Sequence, residues 1–226
     1  MKLFFLALVA LFVGACTPSM RTQTPHNDAS AALERKTVAL VAIRGFEARA
    51  YCSGVWVGQD AILTAYHCVD DVEPGDRVTY VTRADLSASD ADELETVHLA
   101  DLVAHDDEHD LALLQTKLTP AHDVAHVARR APYVGEPVQT MGHPLGLWWS
   151  YSTGVIAAVR YDADEGQWLV QSTAAISPGN SGGALFDNSG DVLGVCHEYA
   201  PRGENVNLYV HGDYAWAFLR AQGLEP

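Results

Sequence analysis

The sequence predicts an all-β protein: one compact unit of short strands, arranged as a barrel or sandwich and closed by a single C-terminal helix. Three observations carry that reading. Short apolar or alternating runs recur along the chain, turn-forming residues separate them, and only the last stretch has a helical pattern. The 226 residues are 48% hydrophobic, enough to bury a substantial core.

In the first half the runs are Val38 to Ile43, Tyr51 to Val57, Ala61 to Thr64, Val78 to Thr82, Thr96 to Ala104 and Leu111 to Gln115. In the second half they are Pro137 to Met141, Thr153 to Val159, Trp168 to Thr173, Val192 to His197 and Asn207 to Val210. Gly58-Gln59-Asp60, Glu73-Pro74-Gly75-Asp76 and Asp187-Asn188-Ser189-Gly190 are turn chemistry between such runs. Tyr214 to Gln222 reads as the helix, stopped by Gly223. No repeat period is present, and no further domain is expected after the helix.

The N-terminus is a separate device. Lys2 gives a positive start, Leu3 to Val13 is apolar, and Gly14-Ala15 are small, the layout of a secretory signal over residues 1–15 that is too short to span a membrane comfortably. Val13-Gly14-Ala15-Cys16 resembles a bacterial lipobox, in which Cys16 is lipidated and becomes the new N-terminus; an ordinary signal with a chance cysteine is the alternative. Residues 16–36, rich in Thr, Pro, Ser, Asn and Ala, read as a flexible tether, leaving 37–226 as the folded domain. The expectation is an exported envelope lipoprotein, periplasmic or outer-membrane associated, held by acyl chains on Cys16.

The formal charge is −15, from 29 acidic and 14 basic residues. Such a surface repels phosphate backbones and no basic stripe offsets it, which excludes nucleic acid as a partner. With Cys16 set aside, Cys52 and Cys68 flank a short apolar hairpin. A bridge between them would close a loop of about 15 residues, worth about 3 kcal/mol, and would need an oxidising compartment. Cys196 is then unpaired and reads as a small buried hydrophobe.

Three local patterns carry chemistry: Leu63-Thr64-Ala65-Tyr66-His67-Cys68-Val69, His109-Asp110-Leu111-Ala112-Leu113-Leu114 and Gly179-Asn180-Ser181-Gly182-Gly183. Alone, each has a structural explanation. Together they supply what acyl transfer needs. A serine hydroxyl is a weak nucleophile without an adjacent base, histidine titrates where it can take and return a proton, and a carboxylate fixes the imidazole tautomer.

The order His67, Asp110, Ser181 and the flanking residues resemble the chymotrypsin-fold serine proteases over nearly all of residues 37 to 222. That resemblance implies two six-stranded antiparallel barrels with the site between them, and a Cys52–Cys68 disulfide beside the catalytic histidine. It implies a triad of His67, Asp110 and Ser181. The serine turn, Ala174 to Leu185, is most similar to the bacterial HtrA-like (Deg) branch, which implies an oxyanion hole from the Gly179 and Ser181 amides. Asn180 stands where trypsin relatives carry the Asp that pairs with a new N-terminus, so no zymogen step is expected. The chain stops after its C-terminal helix without a PDZ module, so neither peptide-activated control nor cage assembly is expected.

For specificity, the resemblance places Ala175 at the base of the primary pocket and Cys196, His197 and Glu198 along its wall, favouring a small or aliphatic residue before the scissile bond. Glutamate-specific relatives carry a histidine in this strand, nearer to Cys196, which leaves glutamate specificity as a rival. A G-x-S-x-G esterase is disfavoured because too little chain follows Ser181 for the remaining catalytic residues of that fold. His105/His109 and His122/His126 have metal-ligand spacing but lack a supporting motif, so neither a metal nor a cofactor is expected. A binding protein on a catalytically inactive scaffold is the alternative from another class. The reading is a monomeric serine endopeptidase acting on proteins or peptides.

Overall fold

A computed structural model describes residues 27–44, 47–72, 76–86, 96–117, 122–199 and 205–226. The expected signal sequence, Cys16 and the first part of the tether lie outside the described residues. Helix α1 (Asp28–Lys36) leads into β1 (Thr37–Arg44), β2 (Glu47–Trp56), β3 (Ala61–Thr64), β4 (Val78–Val81), β5 (His98–Asp106) and β6 (Leu111–Thr116). Then follow β7 (Pro137–Gly142), β8 (Ser150–Asp162), β9 (Gln167–Ser172), β10 (Ala184–Phe186), β11 (Val192–Tyr199), β12 (Asn207–His211) and helix α2 (Gly212–Ala221). The strands close two antiparallel barrels, in the orders β1-β2-β3-β6-β5-β4 and β10-β11-β12-β9-β8-β7, as expected.

Side-chain alternation explains why so many strands read as nearly continuous apolar runs. Val38 and Leu40 of β1 and Ala112 and Leu114 of β6 point into the first barrel, around Trp56, Ile62 and Tyr80. Their neighbours Ala39, Val41, Leu111 and Leu113 point outward into a second core shared with Met141, Phe186, Val195 and Val210 of the other barrel and with both helices. A strand buried on both faces has no polar face to show. The second barrel is filled by Val138, Ile156, Val170, Leu185, Leu193, Cys196 and Tyr209.

The expected tether is shorter than the sequence reading had it, because residues 28–36 form α1. The side chain of Asn27 caps it by accepting from the Ser30 N–H at 2.8 Å, Asp28 lies in its first turn, and Arg35 and Lys36 lie in its last. Leu33 seats the helix in the shared core, and Lys36 donates to the Gly190 carbonyl at 2.7 Å.

Candidate active site

His67 is positioned by three constraints. The chain leaves β3 through a 3₁₀ turn, Tyr66–Cys68, and a disulfide joins Cys68 to Cys52 of β2 with their Cα atoms 6.2 Å apart. Asp110, in the turn between β5 and β6, supplies the rest. Its carbonyl accepts from the Tyr66 N–H at 3.1 Å, one carboxylate oxygen accepts from the His67 N–H at 2.8 Å, and the other lies 2.7 Å from His67 Nδ1. Asp110 does this from a left-handed backbone, φ +53°, which costs an ordinary residue about 1 kcal/mol and which Asp tolerates better than most.

An ionised carboxylate only accepts, so Nδ1 of His67 must carry the proton and Nε2 of the neutral ring is left bare. That is the tautomer a general base requires. Burial opposes ionisation of Asp110, but hydrogen bonds from His197 and His67 outweigh it and hold the carboxyl well below the usual carboxylate range. The side chain of Asp110 is 12% exposed, that of His67 43%, so the imidazole reaches solvent from a buried anchor.

The serine turn, between β9 and β10, is hung on the first barrel. The Ser181 carbonyl accepts from the Ser53 N–H at 2.8 Å, and the Gly179 carbonyl accepts from Ser53 Oγ at 2.7 Å. With its single proton committed to that carbonyl, Ser53 Oγ must accept from His143 Nδ1, 2.9 Å away. His143 is fully buried and neutral, its pKa pushed down to about 3 by burial. Two glycines are required here. Gly179 has φ +105°, and a Cβ on it would lie 2.2 Å from the His143 carbonyl oxygen; Gly182 has φ +79°, and a Cβ there would meet Thr64 Oγ1 at 2.1 Å.

The Pro178 carbonyl accepts from the Leu145 N–H at 2.6 Å, which turns the Gly179 N–H of the same trans peptide the opposite way. Among the described residues the N–H groups of Gly179 and Ser181 have no hydrogen-bond partner, whereas those of Asn180, Gly182 and Gly183 are bonded to carbonyls. Two free amides in a turn whose neighbours are all satisfied are available as donors to an incoming oxygen. The Ser181 side chain likewise makes no hydrogen bond among the described residues; contacts of this kind commonly tighten only with substrate.

The expected specificity residues separate. Ala175 is exposed, and its N–H is held by Ser152 Oγ at 2.9 Å. The Cys196 side chain is not at a pocket wall. It is 2% exposed inside the second barrel, its thiol pushed upward by burial, because neighbouring residues of β11 face opposite ways. His197 turns instead to Asp110, with Nδ1 2.7 Å from the oxygen that His67 uses. Glu198 lies in β11, but its side chain is outside the described residues. Three of the four spaced histidines have partners of their own: His105 and His109 meet Asp107 and Asp106 and stack on Tyr66 and Tyr214, and His122 stacks on Trp56, while His126 is exposed.

Ser53, His143 and Glu165 were not anticipated from sequence. No pattern marks Ser53 beyond its place after Cys52, and neither Gly-His-Pro at 142–144 nor a glutamate in a hairpin turn signals a role.

Residues 52–195 match the family described as trypsin-like peptidase domain. The chain is 32% identical over 166 residues to protease Do-like 1, chloroplastic, of Arabidopsis thaliana, covering 68% of this chain and 34% of that protein. It is 32% identical over 163 residues to a probable periplasmic serine endoprotease DegP-like of Brucella suis, covering 69% and 29% respectively. The chain thus spans about a third of the length of the curated relatives it matches. Among solved structures, the active form of the Rv3671c protease from M. tuberculosis superposes with a TM-score of 0.71 at 21% identity, over 88% of this chain and 86% of that one.

Proposed function

The chain belongs to the trypsin-like peptidase domain family, and on that premise we propose that it is a serine endopeptidase in which His67, Asp110 and Ser181 form the triad. One observation carries the reading: the Asp110 carboxylate takes both the backbone and ring N–H of His67, leaving Nε2 bare to accept a proton. Ser181 Oγ attacks the peptide carbonyl carbon as its proton passes to His67 Nε2, and the negative oxygen is received by the Gly179 and Ser181 amides. The tetrahedral intermediate collapses as His67 returns that proton to the leaving amine, giving an acyl-enzyme. Water, deprotonated by His67, then releases the acid and restores the serine.

The substrates are proteins or peptides, with Ala175 favouring a small or aliphatic residue before the scissile bond. The relative from Brucella is named periplasmic, which agrees with export through residues 1–15 and anchoring at a lipidated Cys16. Residues 16–27 then tether an otherwise monomeric domain. The test is intact mass after exposure of the purified protein to a fluorophosphonate. One adduct on the wild type and none on a folded Ser181→Ala variant is expected. An adduct on both would place the nucleophile elsewhere, and none on either would move the inactive binding scaffold to the front.

A further inference from the structure

Two histidines share one carboxylate oxygen, and the peptidase mechanism uses only one of them. Nδ1 of His67 and Nδ1 of His197 both lie 2.7 Å from Oδ2 of Asp110, and the two rings meet edge to face with centroids 6.3 Å apart. The second nitrogen of His197, Nε2, lies 3.4 Å from Oε2 of Glu165, in the turn between β8 and β9. His197 is thus clamped between two carboxylates contributed by different barrels. Its side chain is only 15% exposed, and its contact with the 12% exposed Asp110 is sheltered from water, whereas Glu165 is half-exposed.

We propose that His197 is a positively charged positioning residue that anchors Asp110 and, held by Glu165, fixes a positive charge beside the His67 ring. This rests on the peptidase reading given above. The Asp110 carboxylate accepts and does not donate, so Nδ1 of His197 carries a proton, and the negative Glu165 oxygen 3.4 Å from Nε2 favours a second proton there, which makes the ring an imidazolium. The titratable groups around it among the described residues are Asp110, His67, Glu165 and the adjacent buried Cys196. Burial disfavours the charged ring, but the hydrogen bond and charge of Asp110 and the charge of Glu165 outweigh it, so His197 titrates above the ordinary histidine range.

A shared divalent cation accounts for this cluster less well. Ligands about 2.0–2.1 Å from a tetrahedral metal are spread about 3.3 Å apart, whereas the nitrogens here sit at hydrogen-bonding distance from the oxygen. The consequence for His67 is electrostatic. A fixed positive ring whose centroid lies 6.3 Å from that of His67 opposes a second positive charge there.

His197→Asn separates charge from position, because the Asn amide places an N–H where His197 Nδ1 now stands. The rate of fluorophosphonate labelling, followed against pH, is expected to show its acid limb displaced upward by about one pH unit, the size of the effect of a unit charge at this distance between surface and bulk dielectric values. The alkaline plateau should stay within a few fold of wild type. An unmoved limb with normal labelling reduces His197 to a structural donor and overturns the proposal while leaving the peptidase reading intact. Glu165→Gln, on a half-exposed turn, guards against misfolding of the first variant and should move the limb the same way by less. Ring nitrogen NMR of His197 requires no turnover. A midpoint above 6.5 that falls in Glu165→Gln supports the clamp even if no adduct forms, and a midpoint below 6.5 in wild type overturns it.

Discussion

Ser53→Ala tests how the serine turn is held. The substitution removes one oxygen from a buried strand position and leaves two buried partners unanswered: the Gly179 carbonyl, which now accepts at 2.7 Å, and the His143 Nδ1–H, which now donates at 2.9 Å. A buried polar group stripped of its partner costs about 1–3 kcal/mol, so the variant should lose about 2–4 kcal/mol of stability. The lost volume is too small to admit a replacement water. The turn that carries Gly179 and Ser181 also loses a tether, and labelling by a fluorophosphonate should slow about 10- to 100-fold, the scale on which small misplacements act.

Urea unfolding gives the first quantity and labelling kinetics the second. A cycle with His143→Phe then separates the two orphaned groups. Removing both partners of the Ser53–His143 bond should be less harmful than the single changes predict, by about 1–3 kcal/mol. A Ser53→Ala variant within about 0.5 kcal/mol of wild type that labels at the wild-type rate would refute the reasoning, as would a cycle whose terms simply add.

Burial of neutral His143 also sets a pH dependence. Its pKa falls from 6.5 to about 3 on folding, so below 6.5 the unfolded chain binds a proton that the native protein refuses. Stability should therefore decline as pH falls from 6.5 toward 3, by about 4–5 kcal/mol in all, and chemical denaturation of His143→Phe should lack that decline. Asp110 does not confuse the upper window: its folded pKa is depressed, so its contribution is lost only below the ordinary carboxylate value of 3.8. An identical slope in wild type and variant between pH 6.5 and 4 would remove His143 as the cause. Replacing both bridged cysteines by Ala opens a 16-residue separation, worth about 3 kcal/mol, and should lower the melting temperature by about 6–12 °C. An unchanged melting curve would show that the bridge contributes nothing.

The catalytic candidates were legible because each sits in a local signature, and most strands were legible because alternation or a doubly buried run survives in sequence. What escaped did so for physical reasons. Strand β10 is three residues long and directly follows a glycine-rich turn, so its period has no length in which to appear. Helix α1 was hidden by composition: Leu33 is the one buried hydrophobic residue it carries, beside buried Ser30 and Glu34, although its Asn27 cap, acidic start and basic end were readable signals. The contact between His197 and Asp110 spans 87 residues and has no local pattern. Strand alternation alone did forbid Cys196 and His197 from presenting side chains to one pocket, and Cys196 packs inside the second barrel while His197 turns to Asp110.

Two adjacent residues of β2 explain why a site drawn from both barrels is well defined. The Cys52 side chain is bonded to Cys68, the neighbour of His67. The Ser53 N–H holds the Ser181 carbonyl, its Oγ holds the Gly179 carbonyl, and its own carbonyl takes Thr64 Oγ1 at 2.8 Å just ahead of the histidine turn. One strand of the first barrel thus fixes the His67 turn and Ser181 together, although Ser181 belongs by sequence to the second barrel. His197 makes the return connection, reaching from β11 of the second barrel to Asp110 in the first. A sliding of one barrel past the other must therefore break bonds at both ends of the site at once. The shared apolar core between the barrels makes that sliding costly as well, since Leu63 and Leu111 on one side pack in the same cluster as Met141, Phe186 and Val195 on the other.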